Sequence, residues 1–166
     1  MTLTPLILTP LILLSACGFQ LRQSQALPAS LSPLRMEIVD PYSDLGGDLG
    51  EALQRAGLAL SEGGASGPVA RLQISRDEVG LAPLTIGTSG RVQEYALRYV
   101  VQISLTDVDG GVVLPRQEIE LSRDYAFDTA ESLGSPGEEE VVREELRRDM
   151  VAAIMRRIEA AARPSP

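Results

Sequence analysis

The chain has no His, no Trp and a single Cys. Without His there is no imidazole to act as general base, as a switch near neutral pH or as a zinc ligand, which excludes Ser-His-Asp and Cys-His nucleophile systems. One Cys excludes an intramolecular disulfide. Lys is missing as well, so all 15 basic residues are Arg, planar and permanently charged guanidinium forks that suit carboxylate and phosphate. Against them stand 23 acidic residues, a net charge of -8. That balance argues against a broad nucleic-acid surface, because phosphate binding is driven by counterion release onto clustered positive charge. No P-loop, dinucleotide glycine fingerprint, Gly-x-Ser-x-Gly elbow or Cys/His ligand cluster is present, so the residues nominate neither a cofactor, nor a metal, nor an enzyme. The acidic runs Glu138-Glu139-Glu140 and Glu144-Glu145 read as a solvated helix face and as partners of the helix dipole, not as a glycosidase pair.

What is present begins with one apolar run, residues 3–14, which carries no charge and is too short to span a bilayer as a mature helix. Its length fits the apolar region of an export signal, although no basic residue precedes it and Pro5 and Pro10 interrupt it. It ends in Leu14-Ser15-Ala16-Cys17, which resembles a bacterial lipobox. Small residues let such a segment enter a peptidase in extended form, and the Cys17 thiol would then carry S-diacylglycerol, with an N-palmitoyl chain on its amine. Each buried methylene contributes about 0.8 kcal/mol, so three acyl chains hold a protein firmly to a membrane. Gly18, where retained lipoproteins have Asp, fits transit to the outer membrane. The expected organisation is therefore a signal peptide over 1–16, a lipidated tether over 17–33, a folded domain over 34–162 and a loose tail over 163–166.

Within the domain, Leu34–Val39 alternates as a strand, with Met36 and Ile38 on one face. Helical spacing runs from Ser43 to Leu60, its first turns weakened by Gly46, Gly47 and Gly50. A second strand covers Val69–Val79, and Gly80–Gly90 reads as a Pro/Gly/Thr/Ser-rich connection. From Tyr95 to Leu105 every odd position is apolar, the clearest strand in the chain. Asp109-Gly110-Gly111 turns it back into a fourth strand, whose Pro115 belongs at a sheet edge or bulge. Ser135-Pro136-Gly137-Glu138 opens a last helix with Val142, Leu146, Met150, Ile154 and Ile158 at steps of four. One-sided strands and one-sided helices predict an α+β two-layer sandwich: a four-stranded, mostly antiparallel sheet with two helices on one face. The opposite face presents Arg, Gln, Ser, Thr and Glu. Arg71 and Arg98 there, with Arg91, Arg116 and Arg123, are candidates for a cationic patch, each weighed against simple pairing with a nearby Glu or Asp.

Four stretches in order, Cys17-Gly-Phe-Gln-Leu-Arg22, Gly90-Arg-Val-Gln-Glu-Tyr-Ala-Leu-Arg-Tyr99, Ser122-Arg-Asp-Tyr-Ala-Phe-Asp128 and Glu138 through Ile158, resemble the lipopolysaccharide-assembly lipoprotein family LptE. The resemblance implies an outer-membrane lipoprotein on the periplasmic side, whose sandwich sits as a plug inside the LptD β-barrel and helps assemble it for lipopolysaccharide transport. It also implies direct lipopolysaccharide contact through basic residues in two loops. Here those loops, 84–90 and 130–135, contain none, which leaves Arg91 and Arg98 as candidate lipopolysaccharide contacts. The competing expectation is a periplasmic lipoprotein serving as an auxiliary binding module of an ABC-type lipid transporter.

Overall fold

A computed structural model describes residues 27–61, 67–86, 92–125 and 136–163. Four strands, β1 (Leu34–Ile38), β2 (Ala70–Ile86), β3 (Val92–Thr106) and β4 (Val112–Tyr125), form one sheet in chain order. Helices α1 (Asp44–Arg55) and α2 (Pro136–Ala161) cover one face. The α+β sandwich is as expected, but the sheet is mixed: β1 runs parallel to β2, and the other two pairings are antiparallel. The cause is α1, which carries the chain from the end of β1 back to the start of β2, the crossover that a parallel pair requires.

Helix α1 starts at Ser43, whose Oγ accepts the Gly46 N–H at 3.4 Å, and buries Leu45, Leu49 and Leu53. Its glycines do not loosen it. A Cβ on Gly46 would lie 2.7 Å from Ile38 Cδ1, so the missing side chain lets the first turn press directly onto β1. The helix is shorter than the spacing predicts because Gly57, at φ +91°, ends it. Leu58 N–H reaches the Leu53 carbonyl (3.1 Å) and Gly57 N–H the Gln54 carbonyl (2.9 Å), a Schellman closure sealed by two buried leucines. Leu60 then forms a single parallel bridge to Leu34.

β2 continues to Ile86, through Gly80–Ile86, which the composition assigned to a connection. The long partner β3 enforces this, since pairing is unbroken from Asp77↔Val101 to Pro83↔Tyr95. Pro115 lies on the edge strand β4, where between the pairs Ile103↔Gln117 and Leu105↔Leu114 one residue of β3 (Ser104) opposes two of β4 (Pro115 and Arg116), as a bulge demands. Helix α2 buries Leu146, Met150, Ile154 and Ile158 against the sheet, the predicted stripe. The ordered fold also reaches back before Leu34: Leu31, in a 3-10 turn within the stretch read as tether, is 1% exposed and part of the core.

Candidate functional site on the outer sheet face

Alternation sends Leu72, Ile74, Tyr99, Val101, Ile103 and Ile119 toward the helices and leaves the opposite side chains outside. A bulge at Ser75 shifts the register, so β2 presents Arg71 and Gln73 outward before it, and Arg76 and Glu78 after it. Side chains three strands wide then meet. Arg76 contacts Glu78 at 2.7 Å and Glu118 at 3.1 Å. Arg98 grips Glu120 with two parallel bonds, Nε to Oε1 and Nη2 to Oε2, both 2.5 Å. Ser75 Oγ donates to Gln102 Oε1 at 2.8 Å. The hydrogen bonds from Arg76 and Arg98 hold the Glu78 and Glu120 carboxyls below the usual carboxylate range, and the same bonds hold both guanidiniums above theirs. Val100, central on this face, is only 4% exposed among these long side chains. The face is thus charged in composition yet locally compensated in charge.

Arg98 therefore stands where the alternation placed it, outward and half-exposed, but its fork is already filled by Glu120. Arg91, Cys17 and the loop 130–135 lie outside the described residues. Arg123 leaves the patch altogether. It pairs with Leu97 of β3, on the helix side, and clamps α2 through Glu145 (2.5 Å) and Asp149 (2.7 Å).

Two polar contacts, one under the helices and one between them, have no sequence signal that plain alternation could detect. Asp77 is turned inward by the Ser75 bulge and accepts the Tyr99 hydroxyl at 2.8 Å. Burial, first, and this bond, second, push the Tyr99 hydroxyl well above the usual tyrosine range. Arg147 of α2 reaches Asp48 (2.7 Å) and Asp44 (3.1 Å) of α1 and ties the two helices together; the Asp48 bond raises its pKa. Behind that tie an open groove between the helices is floored by Ala52, Ala56, Val151, Ala152 and Met155. Among the described residues no group of three His, Cys, Asp or Glu is placed to hold a metal, and no helix is long and apolar enough to cross a membrane.

The chain matches the LptE family, described as lipopolysaccharide-assembly, over residues 31–158. It is 26% identical over 157 residues to the LPS-assembly lipoprotein LptE of Photorhabdus laumondii, covering 94% of this chain and 84% of that one. Among solved structures it resembles lipoprotein B from Nitrosomonas europaea, with a TM-score of 0.68, 28% identity and coverage of 86% and 91% of the two chains. The minor lipoprotein from Acinetobacter baumannii shares the fold, at a TM-score of 0.65, 21% identity and coverage of 84% and 100%. With the family matched across the whole described sandwich, from the buried Leu31 to Ile158 at the end of α2, the chain belongs to the LptE lipopolysaccharide-assembly family.

Proposed function

We propose that this chain is an outer-membrane lipoprotein, anchored through lipidated Cys17, whose sandwich sits in the lumen of an LptD-like β-barrel as plug and assembly factor for lipopolysaccharide transport. Family membership supports a role in lipopolysaccharide assembly. The observation that carries the finer reading is the outer sheet face, where Arg76, Arg98, Glu78, Glu118 and Glu120 satisfy one another in a hydrated layer. A wide barrel has a polar, watery interior, and such a face can stand in it without stranding a charge or demanding a tightly fitted partner. In this reading residues 1–16 are the signal peptide, 17–33 lead from the membrane into the domain, with Leu31 already packed in its core, and 163–166 form a short tail.

The domain's role is binding and positioning, not chemistry. Direct lipopolysaccharide contact falls to Arg91 and Arg98, and at Arg98 a lipid phosphate has to displace Glu120 from a bidentate bond. Pulldown of the full-length lipoprotein through its C-terminus from outer-membrane extracts should bring down one large barrel. Depletion should lower both that barrel and surface lipopolysaccharide. Recovery in inner-membrane fractions with a transporter, and no barrel, would overturn the reading. Cys17→Ala should release the protein from membranes.

A further inference from the structure

β1 covers only the start of β2, from Leu34↔Ala70 to Ile38↔Ile74. Val39 N–H donates to the Ile74 carbonyl at 3.0 Å, and Asp40-Pro41 then turns the chain into α1. β2 runs on to Ile86 paired with β3 alone, so among the described residues no strand takes its other side from Ser75 onward.

Pro83 reveals which main-chain groups point to that open side. It pairs with Tyr95 but has no N–H to give, so it occupies a position whose polar groups face away from β3. The ladder has no register shift between Asp77 and Pro83, and main-chain direction alternates along a strand, so Asp77, Val79 and Leu81 share that orientation. Their N–H and C=O groups form a row available for pairing, spaced roughly 6.8 Å apart.

Of the usual protections of an edge, this stretch has a proline only at its far end, Pro83, and lacks charge over most of its length. No charged residue occurs from Val79 to Ile86, and the nearest acids, Asp77 and Glu78, are engaged by Tyr99 and Arg76. The margin is apolar instead. Leu81 (49%) and Leu84 (51%) are exposed on the free stretch, and Val39 (61%) and Tyr42 (93%) on the turn where β1 departs.

We propose that β2 from Asp77 to Pro83 is a strand-addition site that takes an extended, predominantly apolar segment of the barrel partner, continuing the sheet where β1 leaves it. The proposal rests on the functional reading above. A row of alternating N–H and C=O groups selects an extended polypeptide over a lipid or sugar, and the flanking leucines select apolar side chains at every second position. A second copy of this chain is disfavoured, because each copy carries a net charge of -8 and the edges would have to meet at close range.

The test uses the full-length lipidated protein in cells, with the photo-crosslinker p-benzoylphenylalanine at Gly80, where an added side chain meets open space. Ser122, on the far strand β4, is the control. Gly80 should crosslink to one apolar segment of the co-purifying barrel, mapped by mass spectrometry, with yield about tenfold above Ser122. Leu81→Pro removes an N–H only from the open side and should cut that yield at least about fivefold with the melting curve preserved. Leu81→Lys, which keeps every main-chain group, should act in the same direction and covers the case in which proline disturbs the fold. A barrel that co-purifies without a Gly80 adduct, an adduct between two copies of this chain, or a yield indifferent to both substitutions overturns the proposal and leaves the functional reading standing. Absence of any co-purifying barrel sinks both.

Discussion

Replacing Tyr99 by Phe isolates one contact and reads it in two ways. The Tyr99 ring is 3% exposed among the core residues of the helix side, and its hydroxyl donates to Asp77 at 2.8 Å. A hydrogen bond to an ionised acceptor is worth about 1.5–3 kcal/mol. Asp77 is only partly buried and regains water when the hydroxyl is gone, which places the expected loss at about 1–2 kcal/mol, or roughly 4–8 °C in melting temperature. The second reading is pH. Burial and Asp77 hold the Tyr99 hydroxyl above its ordinary range; Asp44 adds to this and Arg147 opposes it. In the unfolded chain the hydroxyl titrates near its ordinary value of about 10, so above that pH the folded state binds more protons and stability must fall. The contribution is fully present below about pH 10 and is lost above it, at up to about 1.4 kcal/mol per pH unit. The composition simplifies this window, because the chain has no Lys and its Arg residues stay charged, and Cys17, Tyr42, Tyr95 and Tyr125 are common to both proteins and cancel in the comparison. Urea denaturation followed by circular dichroism from pH 7 to 11.5 should show the parent declining above pH 10 and Tyr99→Phe declining less steeply. Parallel curves, or equal stability at neutral pH, would refute the reasoning.

Three further outcomes test the packing. Leu31→Ala should cost about 2–4 kcal/mol in equilibrium denaturation, because a 1% exposed leucine leaves a cavity, and a loss under about 0.5 kcal/mol would remove Leu31 from the cooperative core. Gly57→Ala should destabilise by about 1 kcal/mol, since φ +91° strains any Cβ at the end of α1; an unchanged midpoint would mean the Schellman turn relaxes freely. Arg147→Ala, which cuts the tie to Asp44 and Asp48, should cost up to about 1 kcal/mol and lose part of that cost in 0.5 M salt, whereas Arg98→Ala on the outer face should leave the midpoint unchanged. Equal effects of the two would contradict the partial burial of the Arg147 side chain.

The parts of the fold that were legible are those in which one local pattern is decisive. Val142 to Ile158 repeats every four residues and is a helix; Tyr95 to Leu105 alternates and is a strand. The illegible parts depend on a partner distant in sequence. Gly80–Ile86 carries no strand signal of its own and is held extended by β3. The direction of β1 was implicit in the strand-helix-strand order, but its five residues do not state it alone. The bulge at Ser75 inverts the facing of everything after it, so that Asp77 lies beneath the helices and Arg76 and Glu78 emerge outside, a placement that plain alternation does not carry. The candidate site shows the same division. Alternation placed Arg98 outward, yet its pairing with Glu120 depends on the β3–β4 register, which the bulge at Pro115 adjusts.

That register has a consequence for recognition. A guanidinium with a free fork reads an anion; one gripped bidentately by a carboxylate reads nothing until the carboxylate is displaced. With Arg76 and Arg98 both engaged, the middle of the outer face has few unmet demands to place on a partner. The open margin of β2 is the opposite, a row of main-chain groups flanked by exposed leucines and lacking any charge from Val79 to Ile86. In the proposed role, a plug standing in a watery lumen needs both kinds of surface, one that tolerates solvent everywhere and one that fixes orientation. In this fold the two are divided along a single strand, because β2 contributes its side chains to the ionic face and, among the described residues, an unpaired backbone to the margin.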